Sequence, residues 1–265
     1  MAGGPQPIGL RYLEPALDLR GIVSSYYIFW ANMPTVADLM RADMPQLRFM
    51  LKGSGTYSFA NGQTTTAPEV ALVGPTMGAS RVNVAGPLMV FGIALLPAGW
   101  AALVREDASG HADALVDGTA MFGPLLADAM DAMRCAPTAD VMVAIADAVM
   151  RALVAKSGDV PLWFTRMTDQ WLIGSASPEV DTLVASAGMS ARQVERLARR
   201  VYGAPPKLLA RKYRALRAAS LLGSGNLSWQ DVAGDAFYDQ SHFSNSVCNN
   251  SLIFLFLSIN SMLFG

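Results

Sequence analysis

The chain has 265 residues, of which 52% are hydrophobic and 15% charged, and its formal net charge is −1. That balance fits one large or two ordinary folded domains and excludes a disordered chain. The two cysteines, Cys135 and Cys248, exclude a disulfide framework or a cysteine metal cluster.

The first fifteen residues lack the basic-then-apolar pattern of a signal peptide, and no apolar run reaches the roughly 20 residues of a membrane span. A cytoplasmic protein without a membrane partner is therefore expected. From about Tyr12 to Pro97 the signals are those of strands. Ser24–Trp30, Leu47–Leu51, Thr56–Phe59, Val70–Val73, Ser80–Val84 and Leu88–Leu95 are rich in branched and aromatic residues. Lys52–Gly55 reads as a turn, Asn61-Gly62 as a hairpin, and the Gly-Pro pairs at 74–75 and 86–87 as breaks between strands. Short strands so punctuated predict a small β-barrel or sandwich over 1–98.

From 99 to 157 the composition turns to Ala, Met, Leu and Asp. Leu125, Met130 and Met133, then Val141, Ile145, Ala148 and Val149, recur at helical spacing. Gly123-Pro124 separates two helices and Thr138 opens the next. These helices are expected to cover the β-domain and to offer a dimer surface. A third region, 158–265, begins with a helix over Trp163–Ile173. Ser177-Pro178-Glu179 then reads as a helix start, with Ser as cap and Pro in the first turn.

Charge is concentrated within this region. Gly188–Arg217 holds nine basic residues and one acid, Glu195, whereas the chain before it holds 11 basic and 17 acidic residues. No Lys or Arg follows Arg217. Val180, Leu183, Val184 and Ala187 form one apolar face of a short helix, which Gly188 ends. Ser190 and Gln193 fit a capping box that opens a second helix with Val194, Leu197, Ala198 and Val201 on its apolar side. Arg192, Arg196 and Arg199 then fall together on the opposite side. Pro205-Pro206 opens a longer helix carrying Lys207, Arg211, Lys212, Arg214 and Arg217.

Two short helices joined at a glycine, the second with an outward row of arginines, describe a helix-turn-helix. The major groove admits one helix, Arg pairs bidentately with guanine, and Gln pairs with adenine. Arg192, Gln193 and Arg196 are the expected base readers. Ser190, Arg199, Arg200, Lys207, Arg211 and Arg214 are the expected phosphate contacts. The bland alternative is a solvated basic face.

These residues resemble the AraC/XylS family of bacterial transcription regulators, whose DNA-binding part carries two helix-turn-helix units joined by a long helix. The first unit is similar through SPEVDTLVASAGMSARQVERLARRVYGAPPKLLARKYRALRAASLL at 177–222. The second begins with Trp229, Val232, Ala233 and Phe237, then Asp239-Gln240-Ser241-His242-Phe243, a segment specific to the family. The resemblance implies phosphate contacts from Gln240, Ser241 and His242, although His242 could equally pack at a helix start. It also implies a cupin-like sensor at the N-terminus, a homodimer, double-stranded DNA as partner and a small-molecule effector in the β-domain. The family usually has Gly where Ala236 stands. After Phe243 the chain departs from the family, because 244–265 has neither Lys nor Arg and ends in an apolar run. That composition looks like out-of-frame sequence, leaves the second unit incomplete and is expected to promote aggregation.

The expected fold class is thus α+β: a β-rich, cupin-like N-terminal domain with trailing helices, then an all-α helix-turn-helix domain. A remnant that dimerises without gripping its operator, and a cupin-type enzyme or small-molecule-binding protein, are the rivals. Neither catalysis, cofactor nor metal is expected, since only His111 and His242 exist and no strand carries a histidine. His111 reads as a surface loop residue. Trp30, Tyr57, Phe59, Phe91 and Trp100 read as core, with an effector pocket as the alternative.

Overall fold

Two long strands organise the N-terminal half. The computed structural model of the chain describes residues 7–158 and 160–223. Its strands are β1 (Ile8–Leu13), β2 (Val23–Ala31), β3 (Thr35–Met40), β4 (Gln46–Ser58), β5 (Thr64–Thr66), β6 (Val70–Val73), β7 (Ser80–Leu95) and β8 (Leu115–Asp117). All pair antiparallel in one sheet of order β1-β2-β7-β4-β6-β8, with β3 on β7 and β5 on β4. β7 changes partner along its length, from β3 over 80–85 to β2 over 88–95, while β4 stays on its other edge. β4 likewise passes from β6 to β5.

Two of the expected breaks, Lys52–Gly55 and Gly86-Pro87, are instead places where a strand continues. At Lys52–Gly55 the register against β7 shifts, and Gly53 has φ +82° with Ala85 O 2.8 Å from where a Cβ would lie. The glycine there absorbs a bulge and does not reverse the chain. Pro87 falls in the gap between the β3 and β2 pairings, where no ladder donor is needed, so β7 runs through it. Asn61-Gly62 does form a hairpin, with Gly62 at φ +87° and Asn61 Oδ1 accepting from Gln63 N. β1 and β3 escape sequence reading because each is partly exposed and only weakly alternating.

Helices α1 (Pro97–Leu103), α2 (Gly118–Phe122), α3 (Pro124–Arg134) and α4 (Ala139–Val154) cover the sheet, as expected. Trp100, Phe49, Phe91 and Ile93 share one core with Leu126, Met130, Met133, Val149 and Met150. Tyr57 and Phe59 are also buried, in a smaller cluster with Met40 and Val82, so these aromatics pack as core. The face of α4 differs from the expected one. Met142, Ala146, Val149, Met150 and Leu153 point inward, whereas Val141 and Ala148 are exposed. The helix is apolar almost all round, so periodicity alone could not choose the buried side.

Four further helices follow: α5 (Leu162–Gly174), α6 (Val180–Ala187), α7 (Ala191–Tyr202) and α8 (Pro206–Gly223). They enclose their own core of Phe164, Leu172, Leu183, Val194, Ala198, Val201 and Leu209. Met77, from the loop between β6 and β7, and Ala101 of α1 pack against that same core and join the two halves at a seam.

Tyr202 ties α7 to α5. Its hydroxyl donates to Asp169 Oδ1 at 2.7 Å and also lies 3.0 Å from Thr165 O, which shares that one proton. Burial pushes the Asp169 carboxyl up to about 6 from its usual 3.8, against the lowering effect of the Tyr202 hydrogen bond. The folded chain therefore holds a proton that the unfolded chain releases, and stability falls as pH rises between those values. Asp169→Asn removes the ionisation and keeps an acceptor for Tyr202. It is expected to be more stable than the parent by about 3 kcal/mol at pH 8, with the difference vanishing near pH 4. Urea midpoints at the two pH values check this.

Candidate nucleic-acid interface

The candidate interface is the outer face of α7, and its position follows from local chemistry. Gly188 ends α6 at φ +60°, a conformation that costs glycine little. Ser190 then caps α7. Its Oγ accepts from Gln193 N at 3.4 Å, while Gln193 Oε1 accepts from Ser190 N at 3.0 Å and from Ser190 Oγ at 2.7 Å. The capping box expected from the sequence is complete. Ser190→Ala is expected to cost about 1 kcal/mol of stability, read from denaturant unfolding. Gly203, at φ +82°, closes the helix.

The expected start of α6 shifts. Glu179, not Ser177, is the cap residue, without a side-chain cap bond, and Pro178 precedes the helix. Ser177 Oγ accepts instead from Arg214 Nη1 at 3.4 Å. The Glu179 carbonyl is held from two sides, accepting from Trp171 Nε1 at 2.8 Å and from Thr182 Oγ1 at 2.6 Å.

Val194, Ala198 and Val201 are fully buried on one side of α7, and Arg192, Arg196, Arg199 and Arg200 are exposed on the other. Lys207 and Arg211 on α8 are exposed as well. Arg199 is bridged to Glu195 one turn earlier, with Nη2 at 2.9 Å and Nε at 3.1 Å from Oε1, which partly offsets its charge. Gln193 is exposed, but its carbonyl is committed to the cap. Bidentate pairing with adenine would take that carbonyl out of the box.

The other three cations have structural partners. Arg217 donates to the carbonyls of Leu172, Ile173 and Ser175 and so caps the end of α5. Arg214 is half-buried, with Nη1 donating to Ser177 Oγ at 3.4 Å. Lys212 is buried, with Nζ donating to Asp43 O of the β-domain at 2.7 Å. Burial pulls its ammonium down to about 8. The sequence counts nine cations in this block and does not distinguish these three from the rest. Gln240, Ser241, His242 and the atypical 244–265 lie outside the described residues.

Two residues of an acidic turn in the β-domain, which sequence reasoning does not single out, complete the surroundings. An open cleft of about 490 Å³ is lined by Ser190, Arg192, Gln193, Glu195, Arg196 and Arg199 from α7 and by Asp107 and Ser109 from across the seam. His111 stands in a loop, as expected, but its ring is largely covered and has partners. Its ring lies 5.4 Å from that of Trp100, and its Nε2 is 2.7 Å from Glu106 Oε2. Among the described residues no group of three or more His, Cys, Asp or Glu side chains could hold a metal, and no helix is long and apolar enough to cross a membrane.

A family model described as a helix-turn-helix domain matches residues 183–248, taking in α7, α8 and the Asp239–Phe243 segment. No curated protein matches the chain. Among solved structures, unsaturated-fatty-acid-bound wild-type ToxT from Vibrio cholerae is similar over 92% of this chain and 91% of that one, at 11% identity and a TM-score of 0.45. Another ToxT structure from Vibrio cholerae is similar over 88% and 100%, at 11% identity and 0.45. The AraC-like transcriptional activator CuxR is similar over 80% and 86%, at 14% identity and 0.34. TM-scores this low decide nothing about this chain, so the helix-turn-helix match carries the comparison.

Proposed function

We propose that the chain is an AraC/XylS-type helix-turn-helix regulator that binds DNA and regulates transcription, and that α7 reads the major groove of double-stranded DNA. One observation carries the proposal: a capped helix whose inner side is core presents Arg192 and Arg196 outward in a single row. Arg192 and Arg196 pair with base edges, and Gln193 contributes through whatever its cap leaves free. Ser190, Arg199, Arg200, Lys207 and Arg211 meet phosphates, joined by Arg214 once it releases Ser177. In the second unit Gln240, Ser241 and His242 take the same role. The protein is not an enzyme and works in the cytoplasm.

The rest of the chain serves regulation. A homodimer forms through the outer face of α4, where Val141, Ala144 and Ala148 leave apolar surface exposed. A small-molecule effector acts on the β-domain, whose interior offers Arg48 donating to Gln46 Oε1 at 2.9 Å and to Tyr57 OH at 2.8 Å. Selection of bound sequences from random duplex DNA by the full chain tests the reading. A recurring motif that disappears with Arg196→Ala is expected, and recovery of no preferred sequence would contradict base reading.

A further inference from the structure

One acid stands among the cations of α7. Between Gly188 and Arg217 the only Asp or Glu is Glu195, against nine basic residues. At about 100° per residue it falls about 60° from Arg192 and about 40° from Arg199, at the edge of the outward row. Glu195 is exposed and lines the same open cleft as Arg192, Arg196 and Arg199. On a face that meets phosphates an anion works against binding, and an exposed i,i+4 ion pair stabilises a helix only slightly.

The bonding of Glu195 gives it a different use. Arg199 grips one oxygen alone, with Nη2 and Nε both donating to Oε1. Among the described residues no donor is bonded to Oε2. The carboxylate is thus fixed in place with an acceptor left over, and little further ordering is needed for it to bind. A carboxylate only accepts hydrogen bonds. In the major groove guanine shows two acceptors, and thymine shows one beside its methyl group, so both repel it. Adenine shows a donor beside an acceptor. Cytosine shows its N4 donor alone and is the base edge a carboxylate fits. The guanine of the same pair presents the O6 and N7 that a neighbouring arginine takes.

We propose that Glu195 is a specificity-determining residue of α7: its uncommitted Oε2 accepts from cytosine N4 in the major groove, and Arg199 is the residue that positions it. The role rests on the reading of α7 as the major-groove helix, and it adds a group that rejects guanine and thymine by repulsion. Arg199 keeps Nη1 for a phosphate while its other donors hold the carboxylate.

The test is selection from random duplex DNA by the full chain, followed by binding to the recovered duplex and to its single-pair substitutions at fixed salt. The parent is expected to prefer C·G at one pair by about 5- to 150-fold. In Glu195→Ala that preference is expected to vanish, with the other pairs still read and no loss of affinity for random-sequence duplex. Glu195→Gln keeps the side-chain length and offers an acceptor beside a donor, so it is expected to exchange cytosine for adenine. It carries the test should Glu195→Ala fold poorly. Arg199→Lys keeps the cation but not the two-donor grip, and is expected to lower the preference at that pair alone. Variants that recover the parent's motif unchanged, or that bind preferred and random duplexes equally more weakly, overturn the role of Glu195 and leave α7 standing as the reader. A parent that recovers no preferred sequence overturns both.

Discussion

Replacing Arg192 and Arg196 together by alanine is expected to weaken specific DNA binding by about 2–6 kcal/mol, roughly 30-fold or more in Kd, and to relax sequence preference. Each arginine that reads a guanine edge contributes about 1–3 kcal/mol of discrimination, and the two sit one turn apart on one face of α7. Both side chains are exposed and neither packs in the core, so the fold is expected to survive. The contrast is Arg200→Ala. Removing a cation that only neutralises phosphate weakens binding to all sequences alike and reduces the salt slope by about 1. Binding assays on a preferred and a scrambled duplex separate the two cases. Equal weakening on both duplexes for the Arg192/Arg196 pair would make these residues phosphate binders only.

The second large effect concerns stability. Trp100→Ala is expected to cost about 3–5 kcal/mol, because the ring is wholly buried and its removal leaves a cavity the surrounding core cannot refill. Trp100 sits where α1 meets the sheet and shares a core with Phe91, Ile93 and Leu126. Its indole N–H also holds the Glu106 carbonyl, so the damage extends to the turn facing α7. A urea unfolding midpoint measures it. A change below about 1 kcal/mol would mean that α1 packs less tightly on the sheet than described.

Much of the candidate interface is legible in the sequence because its signals are local. Gly188, Ser190, Gln193 and Gly203 act within one or two helical turns, and the structure places each in the role its chemistry predicts. The start of α6 misleads because Ser177-Pro178 has the composition of a helix start while Ser177 instead accepts from Arg214, 37 residues away. The same limit applies to the cations. Lys212 looks like its neighbours on α8, and only the approach of Asp43 from the β-domain distinguishes it.

The β-domain shows the complementary failure. Gly53 and Pro87 are strong local breakers, but each falls where a long strand needs a bulge or a gap in pairing, and the sheet keeps the strand intact. The buried face of α4 is illegible for a different reason, namely that an almost wholly apolar helix has no pattern to read. The wall formed by Asp107 and Ser109 cannot be found from sequence at all. An acidic turn is common, and what gives this one meaning is the helix lying across the cleft.

The most direct test of the central claim is the salt dependence of duplex DNA binding by the full chain. If α7 lies in the groove with Arg199, Arg200, Lys207 and Arg211 on phosphates, a plot of log affinity against log salt falls with a slope of roughly −3 to −5. Absence of binding at low salt, or a slope near zero, would contradict it.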